Sequence, residues 1–306
     1  MAKFLGIDGG GTKTTCAIGD ESGILATARS SGSNLVRLGE AATRAGLHDA
    51  IRQACSMAGI EPSAVTGACV GAAGAAHPEI QQRMIRIVSE VLSCRIVVVG
   101  DMEIALQAAF GPGSGVITIA GTGSIAYGRD SHGATARAGG WGFAVSDEGS
   151  GQWIGRCSLS RALRAKDEHE DAPLLTRILA AWRLAAIDDL IPAANASPPP
   201  DFSNLFPVVQ AAADAGDQLA RSVLSQAGEE LAQLASIVLR HVLDGPEPNV
   251  PLAMAGGVFR QSALVRQVFY NRVRTNFPQV AVNPTVVEPV RGALDLARAA
   301  QDAQPE

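Results

Sequence analysis

The residues best suited to chemistry lie in two glycine-rich turns and at one strand end. Leu5 to Ile18 reads Leu-Gly-Ile-Asp-Gly-Gly-Gly-Thr-Lys-Thr-Thr-Cys-Ala-Ile. An apolar run ends in a carboxylate, three glycines follow with hydroxyls close behind, and a second apolar run returns. That order predicts a strand, a tight turn and a returning strand. Gly9, Gly10 and Gly11 clear the turn of side chains so that backbone N–H groups can face a phosphate, with Thr12 and Lys13 beside them. A Walker loop or a dinucleotide fingerprint opens a helix, whereas Thr14 to Ile18 has strand character, so phosphates here would sit on a hairpin turn. Asp8, closing the first strand, is placed to hold the water shell of Mg2+, an ion that favours one carboxylate plus retained waters and substrate phosphates. The same residues also suit an ordinary hairpin with Asp8 as a turn former.

A second copy of the plan occupies residues 115–129, where Gly121, Thr122, Gly123 and Ser124 interrupt two apolar runs. A third strand-like segment follows each turn, and Ala-Thr-Ala-Arg occurs in both, at 26–29 and 134–137. Two facing hairpins are what gripping one chain of phosphates from both sides would need. Asp101 follows the apolar run Ile96 to Val99 and Gly100, at a strand's carboxyl end, where open α/β sheets place their ligands. Helix capping is the competing role, since Asp is a preferred N-cap.

These turns, together with Gly139-Gly140-Trp141-Gly142, Ser146-Asp147-Glu148-Gly149-Ser150 and Ala255-Gly256-Gly257-Val258, resemble the sugar kinase, Hsp70 and actin superfamily. Within it they resemble the BadF/BadG/BcrA/BcrD ATPase group that contains N-acetylglucosamine kinase. Five motifs stand in the family's order along nearly the whole chain. The resemblance implies an α/β protein of two ribonuclease H-like, actin-like ATPase domains with a cleft for ATP and sugar between them. It implies an ATP-dependent and Mg2+-dependent amino-sugar kinase, acting on the 6-hydroxyl of N-acetylglucosamine with Asp101 as general base. Glucosamine kinase is the alternative, as is an ATPase activator or sugar-sensing protein of the BadF type.

By position the resemblance implies sugar contacts at Asn34, Asp101, Ser124, Ile125, Gly140, Trp141, Gly142 and Asp147. Nucleotide contacts fall on Gly9, Gly10, Gly11, Thr12, Lys13, Gly121, Thr122, Gly123, Ser203, Gly256 and Gly257, with Asp8 on the metal through water. Plainer roles exist for several of these: Asn34 as a turn residue, Trp141 as core, Asp147 and Glu148 as a helix start, and Gly256-Gly257 as a strand-to-helix connection.

The 306 residues are 47% hydrophobic, 18% charged and only 4% aromatic, enough chain for two domains whose cores are small and aliphatic. A net charge of −5 argues against nucleic acid or an anionic membrane surface as partner. No stretch of 18 apolar residues occurs and Met-Ala-Lys-Phe leads straight into a strand, so the reading is a cytoplasmic protein. A homodimer is expected by analogy with the resembling kinases. Cys16, Cys55, Cys69, Cys94 and Cys157 are scattered, without zinc spacing, and offer no counterpart to an activator's iron–sulfur ligands.

Periodicity and breakers predict the elements that must position these residues. Strands are expected near 3–8, 14–19 and 24–30, a helix over 39–57, a strand near 66–71, a helix over 78–92, a strand at 95–99 and a helix at 101–110. Gly111-Pro112-Gly113-Ser114-Gly115 breaks the pattern and marks the expected boundary between domains 1–114 and 115–289. Three strands to about 138 precede helices at 150–166, 173–186, 204–215 and 217–243, a strand at 250–254 and a helix near 261–275. A last helix, about 290–303, is expected to pack back on the first domain, as in the resembling family.

Overall fold

The computed structural model describes residues 1–243 and 250–302. It divides into two compact units, one of Met1–Ile117 with the chain from Val287 onward, the other Thr118–Val286.

The first unit opens with β1 (Phe4–Gly9), β2 (Lys13–Asp20) and β3 (Gly23–Ser31). Helix α1 (Leu35–Ala58), β4 (Gly67–Ala72), α2 (Pro78–Ser89), β5 (Arg95–Val99) and α3 (Asp101–Phe110) follow. The strands form one sheet in the order β3-β2-β1-β4-β5, with β1 antiparallel to β2 and parallel to β4, and β4 parallel to β5. Both faces are covered, so residues alternate between two cores. Leu5, Ile7, Ala68 and Val70 pack with Leu47 and Ile51 of α1 and with Met84 and Ile87 of α2. Phe4 and Cys69 pack with Ile104 of α3 on the other face.

A second sheet, which lies in the second unit except for the start of β6 and the end of β10, repeats the plan. Strands β6 (Gly115–Ala120), β7 (Ser124–Arg129) and β8 (Thr135–Gly139) precede α4 (Gly151–Asp167), α5 (Pro173–Ala181), α6 (Leu190–Ala194), α7 (Phe206–Asp214) and α8 (Gln218–Leu243). Then come β9 (Pro251–Ala255), α9 (Gly257–Gln261), α10 (Ala263–Asn276) and β10 (Ala281–Val287). The sheet order β10-β9-β6-β7-β8 is the first sheet's order read from the other end, each strand replaced by its counterpart five places on. The repeated Ala-Thr-Ala-Arg falls on β3 and at the start of β8, the outer strand of each sheet.

Several elements differ from the periodicity reading, each for a local reason. Helix α1 starts at Leu35 because Asn34 caps it, but Gly39 at φ 74° interrupts it, so the expected start at 39 coincides with a break. Helix α5 stops at Ala181, not 186, because Arg183 turns left-handed at φ 57° and Leu184 N–H closes back on the Leu179 carbonyl at 2.9 Å. The expected helix near 261–275 is divided at Ser262, whose hydroxyl accepts from Val265 N at 3.3 Å and starts α10. Strand β10 was not expected; it is an edge strand and carries Asn283 and Pro284, residues that depress a strand signal. Among the described residues no helix is long and apolar enough to cross a membrane.

The last helix, α11 (Pro289–Asp302), belongs to the first unit. It lies against β1 and α3 so closely that only glycine fits at the crossings. A Cβ on Gly6 would sit 2.3 Å from Leu294 N, and one on Gly292 would sit 2.0 Å from the Ile104 carbonyl oxygen and 2.5 Å from Ala108 N. Helix α11 buries Ala293, Leu294 and Ala297 there. The obstructing atoms at Gly292 are backbone and cannot rotate away, so Gly292→Ala is expected to destabilise the protein by about 1–3 kcal/mol, the usual range for overpacking. Urea unfolding of the two proteins would measure it, and an unchanged midpoint would refute the close packing.

Candidate functional site

In the first unit the chemistry-bearing residues gather at the carboxyl edge of the parallel strands. Asp8 pairs in register with Gly71 of β4, which pairs with Val99 of β5, so Asp8 and Val99 stand about 10 Å apart, two strand spacings. Asp101 follows two residues later at the first position of α3. The capping alternative is resolved here: the N-cap is Gly100, and Glu103 supplies the capping carboxylate, Oε1 accepting from Gly100 N at 2.9 Å. Asp101 is partly buried, and its Oδ1 accepts from its neighbour's N–H, Met102 at 3.0 Å. Desolvation pushes its carboxyl above the ordinary carboxylate range, with the nearby Glu103 charge adding to the rise and backbone N–H groups opposing it.

The first glycine turn is held by backbone. Gly10 N–H donates to the Lys13 carbonyl at 3.1 Å, and Ser33 N–H donates to the Gly10 carbonyl at 3.0 Å. Gly32 packs so tightly on the turn that a Cβ there would lie 2.5 Å from the Gly11 carbonyl oxygen. Thr14 Oγ1 lies 2.7 Å from the Ser31 carbonyl oxygen and 2.8 Å from Ser33 Oγ. The Thr14 hydroxyl therefore donates to the carbonyl and accepts from Ser33. Thr12 and Lys13 reach the surface beside Gly9, Gly10 and Gly11. The same clamp fixes Asn34, next in sequence. Its Oδ1 accepts from Arg37 N at 3.1 Å, capping α1, and its amide NH2 is not used in that cap.

In the second unit the other predicted residues surround the second turn. Gly121 N–H donates to the Gly123 carbonyl at 2.9 Å. The amino end of α4 donates to the same turn, Gly151 N–H to Gly121 O at 2.8 Å and Gln152 N–H to Thr122 O at 3.3 Å. Gly256, at φ 100°, presses on the end of β6, where a Cβ would meet the Ala120 carbonyl oxygen at 2.2 Å. Gly257 begins the short α9 beside it. Ser203 lies over the start of α4, its Cβ 3.1 Å from where a Gly151 Cβ would be, and its hydroxyl donates to Asp201 Oδ1 at 2.5 Å. Gln152 locks that segment, donating to Asp201 Oδ1 at 2.9 Å and accepting from Phe202 N at 3.1 Å.

The sugar-side candidates continue from the turn along β7 and β8. Ser124 is buried, its hydroxyl donating to the Glu148 carbonyl at 2.7 Å and its N–H approaching Asp147 Oδ1 at 3.4 Å. Asp147 is 6% exposed and sits at φ 69°, a left-handed conformation that Asp tolerates better than most residues. Burial raises its carboxyl above the usual range, partly offset by the Ser124 N–H. Ile125 pairs in register with Gly139 and packs on Gly140, where a Cβ would meet Ile125 Cδ1 at 2.7 Å. Gly139, Gly140 and Gly142 all have φ between 71° and 91°, so this backbone needs glycine. Trp141 is not core: it is 67% exposed, and the Arg137 guanidinium carbon stands 4.2 Å from its ring centroid. A groove of about 350 Å3, bordered by Asp130, Thr135, Arg137 and His241, runs beside β8, and none of the sequence-predicted residues lines it.

Thr14, Gly32, Ser33 and Glu103 are supporting residues that sequence reasoning missed. Only Glu103 had a readable signal, three residues beyond the cap in the position of a capping box. For Mg2+, the described residues contain no group of three or more His, Cys, Asp or Glu side chains that could form a protein cage. That leaves the single-carboxylate arrangement, which Asp8 at the end of β1 fits, since Mg2+ commonly takes its remaining ligands from water and phosphate.

A model of the BadF/BadG/BcrA/BcrD ATPase family matches residues 5–297. The chain is 32% identical over 309 residues to the N-acetylmuramic acid/N-acetylglucosamine kinase of Clostridium acetobutylicum, covering 99% of this chain and 100% of that protein. It is 29% identical over 309 residues to the N-acetyl-D-glucosamine kinase of Dictyostelium discoideum, covering 96% of this chain and 97% of the relative. Among solved structures, a Chromobacterium violaceum protein assigned provisionally to the N-acetylglucosamine kinases superposes with a TM-score of 0.76 at 26% identity, over 97% of this chain and 99% of that one. With these likenesses, the two five-stranded sheets are those of the two-domain actin-like ATPase fold expected from the sequence.

The raised Asp101 carboxyl carries a stability consequence. Below the ordinary carboxylate value of 3.8 the group is protonated folded or unfolded; as pH rises, the unfolded chain releases its proton first and the folded state loses relative stability. Asp101→Asn keeps the acceptor for Met102 N–H without the charge. Its melting temperature is expected to exceed that of the parent protein at neutral pH and to converge with it near pH 3.8. Thermal melts at both pH values would test this, and a variant no more stable at pH 7 would contradict it.

Proposed function

The chain belongs to the BadF/BadG/BcrA/BcrD ATPase family, and from that premise we propose that it is an ATP-dependent kinase of an amino sugar, most simply N-acetylglucosamine, phosphorylated at its 6-hydroxyl. The observation that carries the reading is the place of Asp101 just inside the Gly100 cap, with its basicity raised by burial, at the sheet edge that also holds the first glycine turn and Asp8. In the reaction the sugar oxygen forms a bond to the γ-phosphorus, the bond from that phosphorus to the β-phosphate oxygen breaks, and the hydroxyl proton passes to Asp101. Phosphoryl transfer asks for positioning and charge stabilisation more than covalent chemistry. The two glycine turns supply backbone N–H groups toward the phosphates. Asp8 would hold Mg2+ through water, and the ion would add positive charge at the phosphate oxygens. Asn34, Trp141 and Asp147 would bind the sugar, Asp147 by accepting from ring hydroxyls. The proposal extends to a homodimer acting in the cytoplasm.

The Clostridium relative's name also includes N-acetylmuramic acid, which is N-acetylglucosamine with a carboxylate-bearing ether. A dehydratase-activator reading is disfavoured by the thiols. Burial raises all five above their ordinary value, Cys69 to about 12, so thiolate ligands for a cluster would be costly. An ATP-coupled assay with and without N-acetylglucosamine tests the proposal: ADP release should require the sugar. Asp101→Asn should lower kcat by about 10²–10⁴ with little change in the KM for ATP, as for loss of a general base. Sugar-independent hydrolysis, or full turnover in the variant, would reject it.

A further inference from the structure

Arg137 has a placement that the reaction above leaves unused. Along the β7–β8 ladder Ile125 pairs with Gly139 and Tyr127 pairs with Arg137, so Arg137 projects from the same sheet face as Ile125, one rung farther from the glycine turn. Its guanidinium stacks on the exposed ring of Trp141 at 4.2 Å. Among the described residues it has neither a carboxylate nor a carbonyl partner, and the stack is its one fixed contact. Stacking on an aromatic face occupies the face of a guanidinium and not its N–H edges, by which Arg takes a carboxylate through two parallel hydrogen bonds. Arg137 also borders a groove of about 350 Å3 that runs along β8, with His241 on its rim. The one carboxylate on that groove, Asp130, is turned to its own loop, accepting from His132 N at 2.9 Å and Ala134 N at 2.8 Å.

We propose that Arg137, fixed by Trp141, is a specificity residue that reads a carboxylate carried by the amino sugar, so that the site accepts acidic as well as neutral amino sugars. The inference rests on the proposed function for the location of the sugar beside Ile125 and Trp141. Lysine at this position would keep the charge but lose the planar fork and its stack.

The test compares N-acetylmuramic acid with N-acetylglucosamine as acceptors for the parent protein, Arg137→Ala and Arg137→Lys. Arg137→Ala should lower kcat/KM for the acidic sugar by about 10- to 100-fold, the worth of a charge-assisted hydrogen-bond pair. The neutral sugar should change by less than about threefold, and Arg137→Lys should recover only part of the acidic preference. Calorimetric titration of each sugar into the same proteins, without ATP, gives a readout independent of turnover. If neither sugar is phosphorylated, the kinase reading fails, while the titration still decides whether Arg137 binds the carboxylate. A parent protein that does not bind N-acetylmuramic acid, or an Arg137→Ala variant that loses both sugars equally or neither, overturns the proposal.

Discussion

Both candidate phosphate turns depend on the same constraint, the pressing of a distant glycine onto the turn's own backbone. Gly32 does this to Gly11 in the first unit and Gly256 does it to Ala120 in the second; in each case a Cβ would fall within 2.5 Å of a carbonyl oxygen. A side chain cannot fit between, so each turn is set by main-chain atoms that have no rotamers to explore. A surface able to bind phosphate through N–H groups must be rigid before the ligand arrives, because ordering a glycine-rich segment on binding would use up much of the interaction. The Thr14–Ser33 hydroxyl pair and the amino end of α4 then hold the two turns from behind.

The same rigidity explains how two carboxylates tolerate burial. Asp101 and Asp147 are both raised by desolvation, and neither has a cation within hydrogen-bond reach among its described partners. Each is held by backbone: Asp101 at the first turn of α3, where the helix N-terminus favours negative charge, and Asp147 at a left-handed bend that ends against Ser124. Full neutralisation by Arg or Lys would stabilise the fold but leave a poorer proton acceptor. Destabilising groups of this kind concentrate where proteins do chemistry.

Much of the architecture was legible because it rests on short-range signals. Apolar runs, glycine turns and a duplicated hairpin indicated both sheets, and the carboxyl-edge position of Asp101 followed from one strand and one glycine. What stayed hidden depended on contacts distant in sequence. Gly32 and Ser33 look like loop filler until the first turn is folded onto them, and the Arg137 partner of the exposed Trp141 carries no local signal. Strand β10 escaped because edge strands tolerate Asn and Pro that a central strand would not. Helix α5 was overrun because nothing in Ala-Trp-Arg-Leu announces the left-handed Arg183 that ends it.

Equal strand order does not make the two units equal in function. The first sheet ends in acids, Asp8 on β1 and Asp101 after β5, so its edge suits metal-linked phosphate and proton transfer. The second has no acid at the end of β6, where Ala120 stands, although Glu288 follows β10 much as Asp101 follows β5, and its turn is supported by a helix terminus. Its additions, α4 to α8 and the Gly139–Gly142 bend, fall after β8. Under the proposed function, a duplicated fold offers two copies of one glycine turn and leaves one copy free to specialise in chemistry while the other specialises in recognition. The proposed role of the Arg137–Trp141 stack accords with that division, since Arg137 lies on an outer strand whose side chains can vary without disturbing the glycine turn.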